Sequence, residues 1–349
     1  MAKDNENVPT FSDEPMASTE SQSFPPQQMV RCEECLRANP PTRVNCLYCA
    51  AILPTDEVTV HLKKPALRPL ENWEQGYNNI LWPLPANPPE AALIDAASLL
   101  RLATTDLTRI LKVGLPLPVA RAATLDEAEL VQRRLERMGI GTRIVSDTEL
   151  DPDRTSTTKI RATEIVETGI RAFQTPETPA VHIAWSDFSL LVAGRLITRR
   201  VEVKEQKGAR SDNSIVDSSQ FFSDEPVFEL HTQSLGTSFR FAANSFDFTC
   251  LGNAKSLMAA ENLTTLFDLF CENAPAAERD KSYDRARKAL DLVWPSPEQN
   301  ESNGWRRERP GKYIVGSSTE TSNEEQFRRY SRLRYYLKSE AKVKKLENA

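Results

Sequence analysis

Histidine is scarce in this chain, with three in 349 residues, and there are only 12 glycines. So few glycines leave little material for phosphate-cradling loops, and no G-x-x-x-x-G-K-[ST], G-x-S-x-G or H-E-x-x-H string occurs. The histidines, His61, His182 and His231, are scattered, and the last two sit inside strand-like runs where a structural imidazole is the default. No run approaches the ~18 consecutive apolar residues of a membrane helix. The opening MAKDNENVPTFSDEP lacks the apolar stretch of a secretory signal, so a cytoplasmic protein with thiols in a reducing compartment is expected. Lysine and arginine (44) are outnumbered by aspartate and glutamate (49), for a net charge of -5. That balance argues against nucleic-acid binding over the whole surface and leaves room for local basic patches. With no catalytic constellation, the expectation is a non-enzymatic protein; an enzyme using carboxylates brought together by folding is the alternative.

What is present is an array of four cysteines, Cys32, Cys35, Cys46 and Cys49, in two CxxC pairs. Each pair aims two thiolates inward, and together they supply the four soft ligands of a tetrahedral structural Zn²⁺. A redox dithiol is the weaker reading of the same residues. Cys250 and Cys271 lie among Phe246, Phe248, Leu251, Phe267, Leu269 and Phe270, which marks them as core thiols.

The length suits two or three modules. Residues 1–28 are rich in serine, proline, glutamine and acid and are expected to be a disordered tail. A zinc ribbon follows at 30–53, and then a proline-broken linker reaches Trp73. Between 76 and 150 the pattern predicts β, α, α, β, α, β. A strand covers Tyr77 to Leu84, and a helix opened by Pro88-Pro89 carries Leu93, Ala96, Ala97 and Leu100. Thr105 caps a second helix closed by Gly114, and Leu115 to Ala120 is a strand. A TxxE capping box at Thr124 to Glu127 starts a third helix that stops at Gly139, and Thr142 to Ser146 is the last strand.

A linker is expected at Asp151 to Ile160 and a short helix at Thr163 to Phe173. Strands follow at Val181 to Trp185, Phe188 to Val192, Arg195 to Lys204, Val227 to Thr232, Thr237 to Ala242 and Phe246 to Leu251, with a turn at Ala193-Gly194 and a long polar loop from Glu205 to Pro226. A helix over Lys255 to Cys271 turns Leu257, Leu263, Leu266, Phe267 and Phe270 inward. This β-rich region, 160–280, has the element order of an open barrel of the pleckstrin-homology type. The extension 281–349 holds a helix, a flexible stretch to Asn323 and a last helix from Glu324. The fold class expected for the whole is therefore multidomain α+β.

Two resemblances add to this reading. RCEECLRANPPTRVNCLYCAAIL resembles the short zinc ribbons near the N-termini of bacterial multidomain proteins, with Leu36 and Ala50 where those ribbons usually place glycine. Its Cys35, Asn39, Cys46 spacing also fits the Ran-binding-protein type of finger, with Val30 in place of that family's tryptophan. The string LTRILKVGLPLPVARAATLDEAELVQRRLERMGIGTRIV resembles the C-terminal domain of the bacterial ribosomal stalk protein and the Clp adaptor fold. Ala103, Thr104 and Thr105 stand where the stalk family carries its glycine-rich, lysine-bearing surface. The resemblance implies a small protein-docking fold without catalysis.

Two basic surfaces are further candidates. Arg133, Arg134 and Arg137 interleave with Glu129 and Glu136 as a solvated helix face or a docking surface. Residues 305–345 hold 12 basic and 5 acidic groups, and Arg328, Arg329 and Arg332 alternate there with Phe327, Tyr330, Leu333, Tyr336 and Leu337. The helical spacing favours a docked aromatic stripe; contact with nucleic acid, anionic lipid or a partner's acidic surface are the alternatives. The functional expectation is a cytoplasmic, bacterial adaptor or scaffold with structural zinc and an unknown protein partner. Nucleic-acid or ribosome association through the ribbon and the basic helix is the second reading.

Overall fold

The computed structural model describes residues 24–54, 65–71, 73–83, 88–150, 157–175, 177–208, 214–233, 238–309 and 312–347. Most of the expected tail, the linker with His61, and residues 151–156 lie outside the described residues. The chain divides into two compact units, 1–64 and 65–349, and the fold is mixed α+β. In the first unit β1 (Val30–Arg31) pairs antiparallel with β2 (Ala38–Asn39).

The second unit opens with the expected order: β3 (Tyr77–Leu81), α1 (Glu90–Leu100), α2 (Thr104–Lys112), β4 (Pro118–Ala122), α3 (Leu125–Arg137) and β5 (Thr142–Ser146), followed by the single turn α4 (Asp147–Leu150). β3 is the central strand, antiparallel to both β4 and β5. At the start of α3 the Thr124 hydroxyl accepts the Glu127 amide at 3.3 Å. The Glu127 carboxylate takes the amides of Ala123 and Leu67 instead of closing the capping box on Thr124 itself. α3 ends with Gly139 at φ +75° and the Ile140 amide on the Leu135 carbonyl at 2.9 Å, the left-handed stop that a glycine permits.

Beyond residue 156 several expectations fail. β6 (Thr158–Ile160) comes first. β7 (Ala162–Val166) and β8 (Gly169–Phe173) form a hairpin where a helix is expected, joined by β9 (Val181–Ala184). Ile170 and Ala172 are buried with Arg171 exposed between them, a period of two, not of 3.6. β10 (Phe188–Gly208) and β11 (Ser214–Thr232) form one long antiparallel ribbon, and β12 (Ser238–Ala242) lies on the proximal part of β11. After a 3-10 segment at Phe248–Ala254, in place of the expected strand, come α5 (Ala259–Asn273), β13 (Glu278–Asp280), α6 (Tyr283–Leu290), β14 (Glu298–Ser302), β15 (Arg306–Arg309), β16 (Lys312–Ser322) and α7 (Glu324–Glu347). Leu257, expected inward, is fully exposed because α5 starts only after it.

The main sheet runs β14-β16-β10-β11-β12-β6, with β13 beside β10 and β15 beside β16. Its two end strands do not pair with each other, so among the described residues it is an open sheet and not a closed barrel. The polar loop expected at 205–226 and the flexible stretch before Asn323 are largely strand. The distal halves of β10, β11 and β16 form an arm whose β11 edge lies in solvent, and its cross-strand pairs are ionic, Arg195 with Asp224 at 2.7 Å and Lys204 with Asp217 at 3.4 Å. A sheet with no well-buried face carries no apolar alternation for sequence reading to find.

The segments expected as separate domains, 76–150, 160–280 and 281–349, share one core. Ile80, Leu107 and Leu135 cluster with Leu190 and Val192 of β10, Tyr283 of α6 and Phe327, Tyr330 and Leu333 of α7. A second cluster packs Phe188, Phe228 and Phe241 of the sheet against Phe267 and Phe270 of α5. Gly194, expected in a turn, lies inside β10. A Cβ there would meet Tyr283 Cδ1 at 2.6 Å and Phe327 Cε2 at 2.8 Å, so the glycine lets two aromatic rings close onto the strand. Gly194→Ala is expected to cost about 1–3 kcal/mol through overpacking; a urea midpoint unchanged from the parent would show that the rings move aside freely.

Candidate metal centre

Two knuckles with the same hydrogen-bond pattern build the site. In the first, the Leu36 amide donates to the Cys32 carbonyl at 2.9 Å and the Cys32 amide to the Arg37 carbonyl at 3.0 Å. In the second, Ala50 donates to Cys46 at 3.1 Å and Cys46 to Ala51 at 2.7 Å. Closing each knuckle requires a left-handed residue, and Leu36 (φ 57°) and Ala50 (φ 62°) supply it despite carrying a Cβ. The departure from glycine therefore leaves the knuckle geometry intact, at a conformational cost. Leu36→Gly is expected to stabilise the metal-loaded ribbon by up to ~1 kcal/mol, measured as tighter metal affinity in a chelator competition; weaker affinity would mean that the Leu36 side chain contributes more than its backbone costs.

The four Sγ atoms lie within 4.8 Å of one another, with Cys32 and Cys49 at 3.5 Å and Cys35 and Cys46 at 3.6 Å. Sulfurs at Zn–S distances of ~2.3 Å in a tetrahedron stand roughly 3.8 Å apart, so the donor set fits a four-coordinate soft cation. Asn39, fully buried, orients the shell: its Nδ2 donates to Cys46 Sγ at 3.4 Å and its Oδ1 accepts the Leu47 amide at 2.8 Å. Burial pushes the Cys46 thiol up, but the Tyr48 and Cys49 amides, Asn39 and Cys35 outweigh it and bring it down to about 6. The Ala51 amide pulls the Cys49 thiol down, while burial and the three neighbouring sulfurs drive it up to about 12. Four thiolates this close ionise together only with a cation among them. The four cysteines could therefore hold a metal ion. Around them Leu36, Leu47, Tyr48 and Ile52 are exposed, and Arg37 lies over the Tyr48 ring at 4.7 Å.

The other sequence candidates fall differently. Arg133 pairs with Glu129 one turn away at 3.3 Å. Arg328, Arg329 and Arg332 do come together, on the wall of a cavity of about 430 Å³ that Asp147 and Glu325 also line. Cys271 is buried and Cys250 half-buried, and burial raises both thiols. His182 is exposed beside Thr168.

His231 belongs to a buried network that scattered sequence positions could not announce. Its Nε2 lies 2.7 Å from Ser331 Oγ and 3.9 Å from Glu229, its ring stacks on Tyr335, and Glu229 binds Arg240 at 2.7 Å. Arg240 also reaches Glu324 at the start of α7. Glu229, His231, Arg240 and Ser331 are all essentially inaccessible, so this cluster fastens α7 to the sheet and offers no substrate a path.

The molecule thus joins in one chain a double knuckle whose four cysteines could hold a metal ion and a larger α+β unit. No family model, no curated protein and no solved structure matches the chain.

Proposed function

We propose that this protein is a non-enzymatic adaptor that carries a structural zinc ion in its ribbon and docks protein partners on exposed strand and knuckle surfaces. The observation that carries the reading is the arm. Over Ser214–Glu225 the β11 strand has β10 on one side, while β12 reaches only residues 227–231 on the other. Phe221 and Phe222 point to opposite faces there, 54% and 66% exposed. An uncovered edge with apolar side chains on both faces is the geometry of β-strand addition, in which main-chain bonds supply affinity and alternate side chains supply selectivity. On the ribbon, a closed four-thiolate shell leaves no open ligand position for chemistry, which favours zinc as scaffold. Arg328 and Arg329 are engaged by Glu325, which weakens the nucleic-acid reading of that helix.

The test is photo-crosslinking in the native cell from a benzophenone side chain at position 220. A discrete protein adduct that disappears in Phe222→Asp, at unchanged thermal stability, supports the adaptor reading. Absence of any discrete adduct from position 220 and from position 47 on the ribbon would sink it.

A further inference from the structure

The strongest unexplained feature is Arg332. α7 buries Phe327, Tyr330 and Leu333 in the core, and this sends Arg328, Arg329 and Arg332, at i, i+1 and i+4, out on the adjoining side of the helix. They meet the turn at α4 and the segment before β3 around the cavity of about 430 Å³.

The carboxylates at this place already have partners. Glu74 is held by Arg68. Asp147 is held by Arg121 at 2.5 Å and Arg329 at 3.7 Å, and Glu325 by Arg328 at 2.9 Å and Arg329 at 3.2 Å. Arg332 is the surplus guanidinium. It is only 6% exposed, its buried Nε has no hydrogen-bond partner, and among the described residues no carboxylate lies within ion-pairing distance of it. A buried guanidinium cannot escape its desolvation cost by deprotonating, as a lysine or histidine can, so it requires an anion. The cavity wall carries three arginines (Arg328, Arg329, Arg332) and three carboxylates (Glu74, Asp147, Glu325), but Arg68 and Arg121, which are not part of the wall, already pair with Glu74 and Asp147, and Arg332 is the guanidinium left over.

We propose that this cavity binds the phosphate group of a small phosphorylated molecule, with Arg332 as the central receptor and Arg328 and Arg329 beside it. The unpartnered Arg332 matches an anionic oxygen, its planar guanidinium fork matches the oxygens of a phosphate, and the volume suits a small molecule more than a bare ion. The site is independent of the metal centre and adds a small-molecule input to the adaptor.

Thermal unfolding of the full chain, with chloride at matched ionic strength as reference, tests this with inorganic phosphate, glucose 6-phosphate and adenosine monophosphate. A saturable rise in Tm with at least one of them is expected. Half-saturation at lower concentration by an ester than by phosphate identifies a phosphorylated metabolite, and equal half-saturation identifies free phosphate. Arg332→Met should lose the shift while being at least as stable as the parent in chloride, because it removes an uncompensated buried charge. Arg332→Lys, which keeps the charge and loses the fork, should raise the half-saturating concentration at least tenfold. A Tm that follows ionic strength alike in every arm, or an Arg332→Lys protein that keeps the parental response, would overturn the proposal.

Discussion

Removing the metal, by a strong chelator or by Cys46→Ser, is expected to unfold residues 30–53 outright. The ribbon's buried apolar content is Cys32, Cys46 and Leu53, with Val30, Cys35 and Ala51 half-covered against them, and so small a core cannot stand alone. Metal binding in modules of this kind supplies roughly 10–16 kcal/mol, which is the folding free energy itself. The four crowded sulfurs without their cation add mutual repulsion or must take up protons. In a two-dimensional NH spectrum of the full chain, the dispersed amide signals of residues 30–53 should collapse on chelation and return with zinc. Signals that persist after complete metal removal would show that the knuckles hold by their hydrogen bonds alone, and would remove structural zinc from the proposed function.

The second large effect concerns the buried ion pair under α7. Arg240→Met leaves the Glu229 carboxylate at 0% exposure without the guanidinium that donates twice to its Oε1, and breaking such a pair from one side costs about 3–5 kcal/mol. The paired replacement Glu229→Leu with Arg240→Met should recover most of that loss, since an apolar pair of similar volume avoids desolvating two charges. Urea unfolding of the two single variants and the double variant measures the coupling, and additive losses would contradict it.

The same network sets an acid sensitivity. Burial holds His231 down at about 4 from its ordinary 6.5; Glu229 opposes the shift and Arg332 adds to it. The unfolded chain therefore binds this proton at higher pH than the folded one. Stability is full above pH 6.5 and falls as the pH drops toward 4, by about 3 kcal/mol in total. His231→Gln should flatten the stability profile through this window; a profile as steep as the parent's would assign the acid sensitivity to other groups. Burial opposes ionisation of Glu229, but Arg240 and His231 outweigh it and hold the carboxyl low, so it adds a loss as the pH falls below its ordinary value of 4.5, overlapping the acid end of the histidine window.

Legibility in the sequence followed how each element is stabilised. The ribbon and the segment from Tyr77 to Ser146 were readable because their determinants are local: CxxC spacing, the Thr124 cap, the Gly139 stop, and apolar positions repeating at helical period. The arm was not, because the Ser214–Glu225 stretch of β11 is held by pairing with β10 and by cross-strand ions, with no buried stripe to set a period. Gly194 departs from the expected turn for the opposite reason: a glycine in a strand has the local signature of a turn, and the rings of Tyr283 and Phe327 that need its space come from far along the chain. The arginines of α7 were visible as a basic run. Which of them lacks a partner depends on Glu74, Asp147 and Glu325 arriving from three separate segments.

By itself the sequence determined that four thiols are spaced for a metal, that a capped and glycine-stopped α/β segment follows, and that no run approaches the ~18 consecutive apolar residues of a membrane helix. Only the tertiary structure decided that residues 65–349 form one unit, that the Ser214–Asp224 edge of β11 is exposed, and that Arg332 is buried with no carboxylate in ion-pairing reach among the described residues. Local signals report a backbone's own preferences, whereas coverage and charge balance are properties of surfaces brought together from distant parts of the chain.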